Sequence, residues 1–204
     1  MEKSIFDSLA TLFNQKGFHL YMIGGTSRDY LLGREVVDYD FTTDATPSEM
    51  KTFLLDADYT FSHFGTVKLK INKSKIDITT LRKEGLYKDY RHPTRIEFTK
   101  RPDEDYLRRD FTINALYIDE QYKIHDFCDG LIDLKNRIIR FIGDPLTRIK
   151  EDPLRILRAE RFEKKLGFTL EQKTFEAIEN NRFLIDKLNP QKVEEELNKI
   201  KKEF

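Results

Sequence analysis

The stretch YMIGGTSRDYLLGREVVDYDFTT, from Tyr21 to Thr43, combines two adjacent glycines, an Arg-Asp pair and two aspartates one residue apart. Acidic and apolar residues alternate around Asp38 and Asp40, and the side chains of a strand alternate between its faces, so these two aspartates should share one face. Two neighbouring carboxylates repel unless a cation lies between them. Oxygen ligands with room for water and phosphate suit Mg²⁺. The pattern predicts a magnesium site at Asp38 and Asp40, with an ordinary polar strand edge as the alternative.

A third aspartate stands in a similar pattern further along the chain. In KIDIT, from Lys75 to Thr79, the two isoleucines should face a core and Asp77 the opposite side. On a neighbouring strand, Asp77 would join the first two aspartates. Three carboxylates can hold two metal ions roughly 3.5–4 Å apart, which activate a hydroxyl and stabilise a leaving pyrophosphate. Aspartate is a poor strand former, so three aspartates on one face of adjacent strands need a functional reason. We therefore predict that Asp38, Asp40 and Asp77 are catalytic.

The glycine pair Gly24-Gly25 is predicted to end one strand and to precede a helix. Backbone N–H groups at a helix N-terminus bind anions, and glycine allows a phosphate to come close. Arg28, in the first helical turn, could reach the same phosphates. The stretch is neither a dinucleotide fingerprint nor a P-loop. The pattern therefore predicts a triphosphate-binding turn next to the metal-binding strand, with a simple strand-to-helix turn as the alternative.

Periodicity outlines the rest of the first part of the chain. The segment from Gly85 to Asp103 is charged, aromatic and weakly periodic, which predicts a mobile loop. The pattern predicts helices over 4–16 and 26–32 and from about Pro47, and strands over 18–23, 35–42, 66–71, 75–81 and 115–118.

The signal becomes helical after Gly143. Asp144-Pro145 and Asp152-Pro153 are each typical of an N-cap residue followed by proline at the first helical position. Further helices are predicted over 173–179 and 191–202. We therefore predict an α+β fold, with a mixed-sheet domain at 1–143 and an all-helical domain at 144–204.

The helix expected after Pro153 could select a nucleobase. Arg155, Ala159, Phe162 and Leu166 follow the spacing i, i+4, i+7, i+11, so the arginine heads an apolar stripe. A buried guanidinium needs an acceptor, and Asp152 stands one turn earlier. Cytosine and adenine both carry an amino group beside a ring-nitrogen acceptor, which an Asp–Arg pair complements, whereas uracil and guanine present a carbonyl to the carboxylate. A site that leaves buried polar groups unpaired discriminates strongly. An Asp–Arg pair of this kind could therefore accept CTP and ATP and reject UTP and GTP.

Composition limits the classes of protein to consider. The chain has 204 residues, 39% apolar and 35% charged, with 36 basic and 36 acidic side chains. Zero net charge argues against a uniformly basic nucleic-acid binder, although Lys135 to Phe168 is locally basic. We expect no membrane span and no secretion signal, and Cys128 is the only cysteine, so the expected location is cytoplasmic. The four histidines show no ligand spacing, and Cys128 is interpreted as structural.

Ordered motifs resemble one known family. The chain is similar to the bacterial-type tRNA nucleotidyltransferases and poly(A) polymerases, that is, the class II CCA-adding enzymes. The resemblance rests on GGTSRDYLLG from Gly24, DYDFTT from Asp38, RRDFTINAL from Arg108, the segment from Asp126 to Leu134 with IGDP from Ile142, and EDPLRILRAERF from Glu151. It implies a polymerase-β-like nucleotidyltransferase head, at 1–143 here, followed by a helical neck at 144–204.

The resemblance assigns further site residues. Arg109 and Asp110 are implied as ribose and phosphate ligands, supported by Asn114. The alternative for these three is a helix-capping cluster before a strand. Asp152 and Arg155 are implied to select the base, and Arg158 and Arg161 are implied to contact the nucleotide. For Arg158 and Arg161 the alternative is a solvated basic face.

The resemblance also implies an activity. This is template-independent addition of C and A to tRNA 3′ ends from CTP and ATP, with Mg²⁺ and with pyrophosphate released. CC-adding, A-adding and poly(A) polymerase activities remain open, because those relatives share every motif quoted. The loop from Gly85 to Asp103 is expected to control switching from C to A. A small-molecule nucleotidyltransferase and a catalytically dead RNA-binding relative are weaker alternatives. No protein partner can be inferred.

Family members usually continue into a longer helical body and tail. This sequence ends at Phe204, so it represents either a piece of a longer protein or a natural minimal form. We therefore expect the chain to bind nucleotide but to hold tRNA weakly, because its net charge is zero and phosphate contacts dominate such affinity.

Overall fold

The computed structural model describes residues 4–85 and 94–202. The chain divides into two compact units. Unit 1 runs up to Lys83 and includes Ile96–Arg108 and Asn114–Phe127. Unit 2 contains Arg109–Ile113 and the chain from Cys128 onwards, together with the described residues 84–85 and 94–95.

A mixed sheet with helices forms unit 1. Its elements are α1 (Ile5–Gln15), β1 (Leu20–Met22), α2 (Gly24–Leu31), β2 (Tyr39–Thr43), α3 (Pro47–Met50), β3 (Thr66–Ile71), β4 (Ser74–Thr80), β5 (Arg82–Glu84, whose last residue is assigned to unit 2), β6 (Ile96–Phe98), α4 (Pro102–Asp105), β7 (Leu116–Ile118) and β8 (Ile124–Asp126). Six strands pair in the order β3-β4-β2-β1-β7-β8, while β5 and β6 form a separate pair. Only β2 and β4 are parallel within the six-stranded sheet; its other neighbours are antiparallel.

One face of this sheet is apolar because every second residue of its strands is apolar. Phe41 of β2, Val67 of β3 and Ile76 and Ile78 of β4 are buried there. The amphipathic helix α1 packs its buried residues into the same core, which includes Phe6, Leu9, Ala10 and Phe13. Side chains at the intervening positions therefore point to the other side, which we call the polar face.

A tight hairpin joins β3 to β4. Asn72 in its turn has a φ of +54°, in the left-handed region that asparagine tolerates better than most residues. The pairing matches Leu69 with Ile76 and Val67 with Ile78, so both strands place their apolar side chains in the same core. The predicted strand pair joined at residues 72–74 is confirmed.

Helices dominate unit 2. They are α5 (Gly130–Asn136), α6 (Pro145–Glu151), α7 (Leu154–Leu166), α8 (Gln172–Asn181) and α9 (Pro190–Lys202), with a parallel pair of two-residue strands, β9 (Ile138–Ile139) and β10 (Thr169–Leu170). Phe111 stacks on Phe141 at 4.9 Å between ring centroids, and Phe162 meets Phe111 edge-on at 5.6 Å. These rings connect the short 109–113 segment to α7.

The structure corrects several sequence-based boundaries. The predicted strand over 35–42 begins only at Tyr39, so Asp38 lies just before β2. The predicted loop over 85–103 contains β6, and α4 begins at its end; residues 86–93 of that loop lie outside the described residues. The part beyond Gly143 is not entirely helical, because it contains β10.

The two predicted helix caps have different outcomes. Asp144 caps α6 by accepting the Thr147 N–H at 2.8 Å, as predicted. Asp152 instead ends α6, and α7 starts after Pro153, so the second cap is displaced by one residue. The Asp152 carboxylate still accepts the Leu154 N–H at 3.1 Å, which leaves it bound to the first turn of α7. Among the described residues, no helix is long and apolar enough to cross a membrane.

Candidate active site

The predicted catalytic carboxylates meet on the polar face of unit 1. Asp40 of β2 and Asp77 of β4 are register partners in the parallel pair, so their side chains lie next to each other on that face. Asp38 stands two residues before Asp40, and its carboxylate accepts the Lys75 N–H at 3.3 Å. Asp38 and Asp40 are exposed and Asp77 is half-buried. The structure therefore brings all three predicted residues close together, with Asp38 and Asp40 at the start of β2 and Asp77 in the middle of the adjacent β4.

The glycine turn lies directly beside Asp40. Gly24 has a φ of +65°, and a Cβ atom there would approach Asp40 Oδ2 to 3.3 Å. Two hydrogen bonds attach the turn to β2: Ile23 N–H donates to the Asp40 carbonyl at 3.1 Å, and Asp40 N–H donates to the Thr26 hydroxyl at 2.7 Å. α2 starts at Gly24, and Ile23 provides no side-chain cap for its first N–H groups. These N–H groups and the Asp40 carboxylate therefore lie at the same corner of the sheet.

Arg28 is almost completely buried under this turn. Its Nε and Nη2 donate to the two carboxylate oxygens of Asp29, each at 2.9 Å, and its Nη1 donates to Asn114 Oδ1 at 2.8 Å. Its Nη2 also lies 3.6 Å from the point where a Gly25 Cβ would stand. The structure thus brings together two predicted nucleotide-binding residues 86 positions apart. Arg28 and Asn114 are bonded to each other beside the glycine turn, and phosphate binding by Arg28 stays a prediction.

The donor atoms of this corner suit a divalent cation only in part. Asp38 and Asp40 supply oxygen ligands, and Mg²⁺ is commonly bound by one or two carboxylates together with substrate phosphates. Asp77 forms an ion pair with Lys68 at 3.1 Å between Nζ and Oδ2. Across the described ranges, no group of three or more such side chains is positioned to hold a metal ion. The corner therefore fits a site completed by a ligand better than a preformed three-carboxylate cage.

A second set of predicted residues lies in unit 2. Asp110 accepts two hydrogen bonds from Arg158, one from Nε at 2.8 Å and a shorter one from Nη2. Burial would raise the pKa of Asp110, but the charge and hydrogen bonds of Arg158 hold it below its usual value. The neighbouring Arg109 carbonyl accepts from Arg148 at 2.7 Å. Asp110 and Arg158, 48 positions apart, therefore form one ion pair.

Arg155 is buried in the first turn of α7, and Ala159, Phe162 and Leu166 are buried with it, so the predicted stripe is confirmed. Its Nη1 donates to Glu151 Oε2 at 2.7 Å and to the Arg148 carbonyl at 2.8 Å. Glu151 was missed as an acceptor, although the i, i+4 spacing of glutamate and arginine is a recognised helical pairing signal. The guanidinium is thus fixed from below by a residue that the base-selection argument did not include.

Arg161 also has a carboxylate partner. Its Nε donates to Glu196 of α9 at 2.8 Å, and both side chains are buried. Its guanidinium carbon lies 4.5 Å from the centre of the Phe162 ring. A solvated basic face is therefore wrong for Arg161, and Arg158 likewise has its carboxylate partner in Asp110. Contact of either arginine with a nucleotide stays a prediction.

Comparison with known proteins bears on both units. The family model for the poly(A) polymerase head domain matches residues 20–140, which is more than half of the chain. The chain belongs to this head-domain family. The three aspartates of the polar face and the glycine turn lie within the matched range. The predicted mixed-sheet nucleotidyltransferase fold is confirmed.

Individual members of the family are similar over most of this chain. The CCA-adding enzyme of Lactobacillus helveticus is 45% identical over 90% of this chain and 46% of its own length. The solved Bacillus stearothermophilus CCA-adding enzyme in complex with CTP superposes with a TM-score of 0.86 at 32% identity, over 96% of this chain and 47% of that one. A tRNA nucleotidyltransferase complexed with a primer tRNA and an incoming ATP analogue gives 0.69 at 35% identity, over 86% and 50%. The chain spans about half the length of these relatives.

Proposed function

We propose that this chain carries the catalytic part of a template-independent RNA nucleotidyltransferase that adds C and A to tRNA 3′ ends from CTP and ATP. The observation that carries the proposal is the register of Asp40 with Asp77 beside the Gly24 turn. Carboxylates and the first N–H groups of α2 at one corner provide for a cation and for phosphate at the same place. The names of the similar CCA-adding enzymes, solved with CTP and with ATP, support the substrate class.

In the proposed reaction, the 3′ hydroxyl oxygen of the acceptor forms a bond to the α-phosphorus of the incoming nucleotide. The bond from that phosphorus to the bridging oxygen breaks, and pyrophosphate leaves. Asp38 and Asp40 would hold Mg²⁺, which supplies charge neutralisation and activates the hydroxyl. Asp77 would accept the hydroxyl proton, and its carboxylate forms an ion pair with Lys68 at 3.1 Å.

The glycine turn has a binding role in this scheme. The N–H groups at the start of α2 would donate to the triphosphate, and Gly24 and Gly25 leave the space that a side chain would fill. Arg28 acts from beneath the turn, because its guanidinium is bound by Asp29 and Asn114.

Base selection is the proposed role of α7 in unit 2. Asp152 would accept the exocyclic amino group of cytosine or adenine, and Arg155 would donate to the adjacent ring nitrogen. Glu151 and the Arg148 carbonyl fix one side of the guanidinium, which limits the orientations in which it can donate. A preorganised pair of this kind penalises UTP and GTP because their carbonyl would face the carboxylate. Arg109, Asp110, Arg158 and Arg161 are proposed to assist nucleotide binding.

Three related products remain open within the same chemistry: CC only, A only or a poly(A) tail. The segment expected to control this choice lies partly at 86–93, outside the described residues. The cytoplasmic location and weak tRNA holding by this chain are likewise proposals. A small-molecule nucleotidyltransferase would use the same carboxylates but has no use for an Asp–Arg base reader.

The deciding experiment is one incorporation reaction. The chain would be incubated with Mg²⁺, a tRNA ending before CCA and each nucleotide alone or in pairs, and the added 3′ sequence would be read. Addition of C, C and A in order is the expected result, while C only, A only or an A tail would assign a sister activity. Absence of any addition, with equal binding of all four nucleotides, would contradict the proposal.

A further inference from the structure

The outer hairpin of the unit 1 sheet concentrates positive charge. Residues 66–80 contain four lysines and one acidic residue, Asp77. Lys70 of β3 and Lys75 of β4 are register partners, and both are exposed on the polar face. Neither ammonium group has a carboxylate within ion-pairing distance in the described part of the chain.

Two like charges directly opposite each other destabilise an antiparallel pair. Nothing in the packing requires lysine at these positions, because the core side chains of the hairpin point to the other face. A stability cost without a packing benefit is explained if an anion binds between the two ammonium groups.

The lysine pair is placed next to the catalytic carboxylates. One row further along the same face, Lys68, Asp77 and Asp40 are register partners across β3, β4 and β2. The Lys75 N–H also donates to the Asp38 carboxylate. Two residues of strand separate Lys75 from Asp77, about 7 Å. An anion bound at Lys75 would therefore lie close enough to the reacting centre for a single nucleotide to span the distance.

The strand order indicates whether this anion is a phosphate of the incoming nucleotide or a phosphate of the acceptor. The glycine turn follows β1, so it lies on one side of Asp40, while β4 and β3 lie on the other. In phosphoryl transfer the attacking and leaving oxygens are roughly in line. If the leaving pyrophosphate is held at the glycine turn, the acceptor approaches from the β4 side, where the lysines are.

We propose that Lys70 and Lys75 bind the phosphodiester backbone of the acceptor RNA near its 3′ end. The inference rests on the proposed function, since it assumes an RNA acceptor. Phe61 extends the same surface: its ring lies 5.3 Å from Lys68 Nζ and stays 44% exposed. Alternation of cations with an exposed ring is typical of single-strand binding, where a base stacks on the aromatic side chain.

The test compares a Lys70→Gln/Lys75→Gln double variant with a Lys16→Gln variant. Lys16 follows α1, the helix packed on the opposite face of the sheet, and it is also exposed. The probes are an RNA stem-loop with a single-stranded 3′ end, titrated at several salt concentrations, and Mg²⁺–CTP, titrated separately. Thermal unfolding serves as the structural check, and the double variant should be at least as stable as the unmodified chain because the repulsion is removed.

The expected result is a roughly tenfold loss of RNA affinity in the double variant, with a salt dependence less steep by about 1.4 in the slope of log K against log salt. CTP affinity should stay unchanged, and Lys16→Gln should bind both probes normally. A Lys70→Arg/Lys75→Arg variant should retain RNA binding.

Three results would overturn the proposal: no RNA binding by the unmodified chain, equal RNA binding by all variants, or a loss confined to CTP, which would assign the lysines to the triphosphate. Failure of the proposed function is a separate observation. It would show as no incorporation at saturating RNA together with equal binding of all four nucleotides, whatever the RNA titrations give.

Discussion

The polar face of unit 1 and the arginine row of α7 treat charge in opposite ways. On the polar face, Asp38 and Asp40 are exposed side by side, and Lys70 and Lys75 are exposed opposite each other. On α7, each arginine of the row is held by a carboxylate: Arg155 by Glu151, Arg158 by Asp110 and Arg161 by Glu196. These positions of the polar face thus keep like charges together where ligands can neutralise them, whereas α7 has each of these three arginines neutralised by a carboxylate of the chain. Substitutions should therefore affect activity in the first region and stability as well in the second.

The largest effect is expected from Asp40→Asn. Removing one ligand charge from the corner should reduce nucleotide incorporation by about a thousandfold or more. The melting temperature should stay the same or rise, because the side chain is exposed and its repulsion with Asp38 is lost. Incorporation rates measure the loss of activity, and thermal unfolding of the same preparation measures the melting temperature. A variant that unfolds instead would show that Asp40 stabilises the sheet and that the comparison is wrong.

The second prediction concerns the buried pair of Arg161 and Glu196. Glu196→Ala leaves a buried guanidinium without this acceptor, so the free energy of unfolding should fall by about 3 kcal/mol. Replacing both residues by leucine should cost less than Glu196→Ala alone, because no buried charge remains. Urea unfolding of the two variants measures the difference. A double variant less stable than the single one would mean that the pair is net stabilising.

Arg155→Lys separates geometry from charge. Lysine keeps the positive charge but loses the planar guanidinium that can donate to a base while held by Glu151. We expect the ratio of kcat/KM for CTP over UTP to fall by about tenfold or more. Arg182→Lys, at an exposed ion pair with Glu160, is the matched control and should leave the ratio unchanged. An unaltered ratio in Arg155→Lys would remove this residue from base selection.

The smallest effect is expected from acidification. Burial raises the pKa of Glu196, but the hydrogen bond from Lys199 and the charge of Arg161 bring it below its ordinary value. A lowered folded-state pKa contributes stability above the unfolded-state value of about 4.3, and this stability is lost as the pH falls through the folded-state pKa. Below about pH 4, stability should therefore fall less steeply in Glu196→Gln than in the unmodified chain. Equal slopes of the free energy of unfolding against pH in the two proteins would show that Glu196 does not interact with Arg161 and Lys199.

Local patterns in the sequence predicted what the polar face contains. Period-two alternation was enough to place Asp40 and Asp77 on one face, because a strand has no other way to bury Phe41, Ile76 and Ile78. The stripe headed by Arg155 was equally readable from helical spacing. In each case, the signal lies within a few residues of the position that it describes.

Long-range partners could not be predicted in this way. Arg28 with Asn114, Asp110 with Arg158 and Arg161 with Glu196 are separated by 86, 48 and 35 positions. A guanidinium can donate hydrogen bonds in several directions, so no local pattern in the sequence specifies which distant carboxylate or amide it binds. The start of β2 was missed for another reason: Val37 continues the alternation, but the hydrogen-bonded pairing with β1 extends only over residues 41–43 and that with β4 over 39–43.

The parallel register of Asp40 with Asp77 has a consequence for how such a chain can change length during evolution. An extra residue in the Asn72–Lys73 turn would lengthen the hairpin and leave Asp77 where it is. An extra residue between Asp77 and Ile78 would shift one side of the strand by one position, so that either Asp77 turns into the core or Ile78 turns out of it, because side chains alternate strictly along a strand. We expect insertions and deletions among related sequences to accumulate in the turn and to be absent from the four positions that follow Ile76.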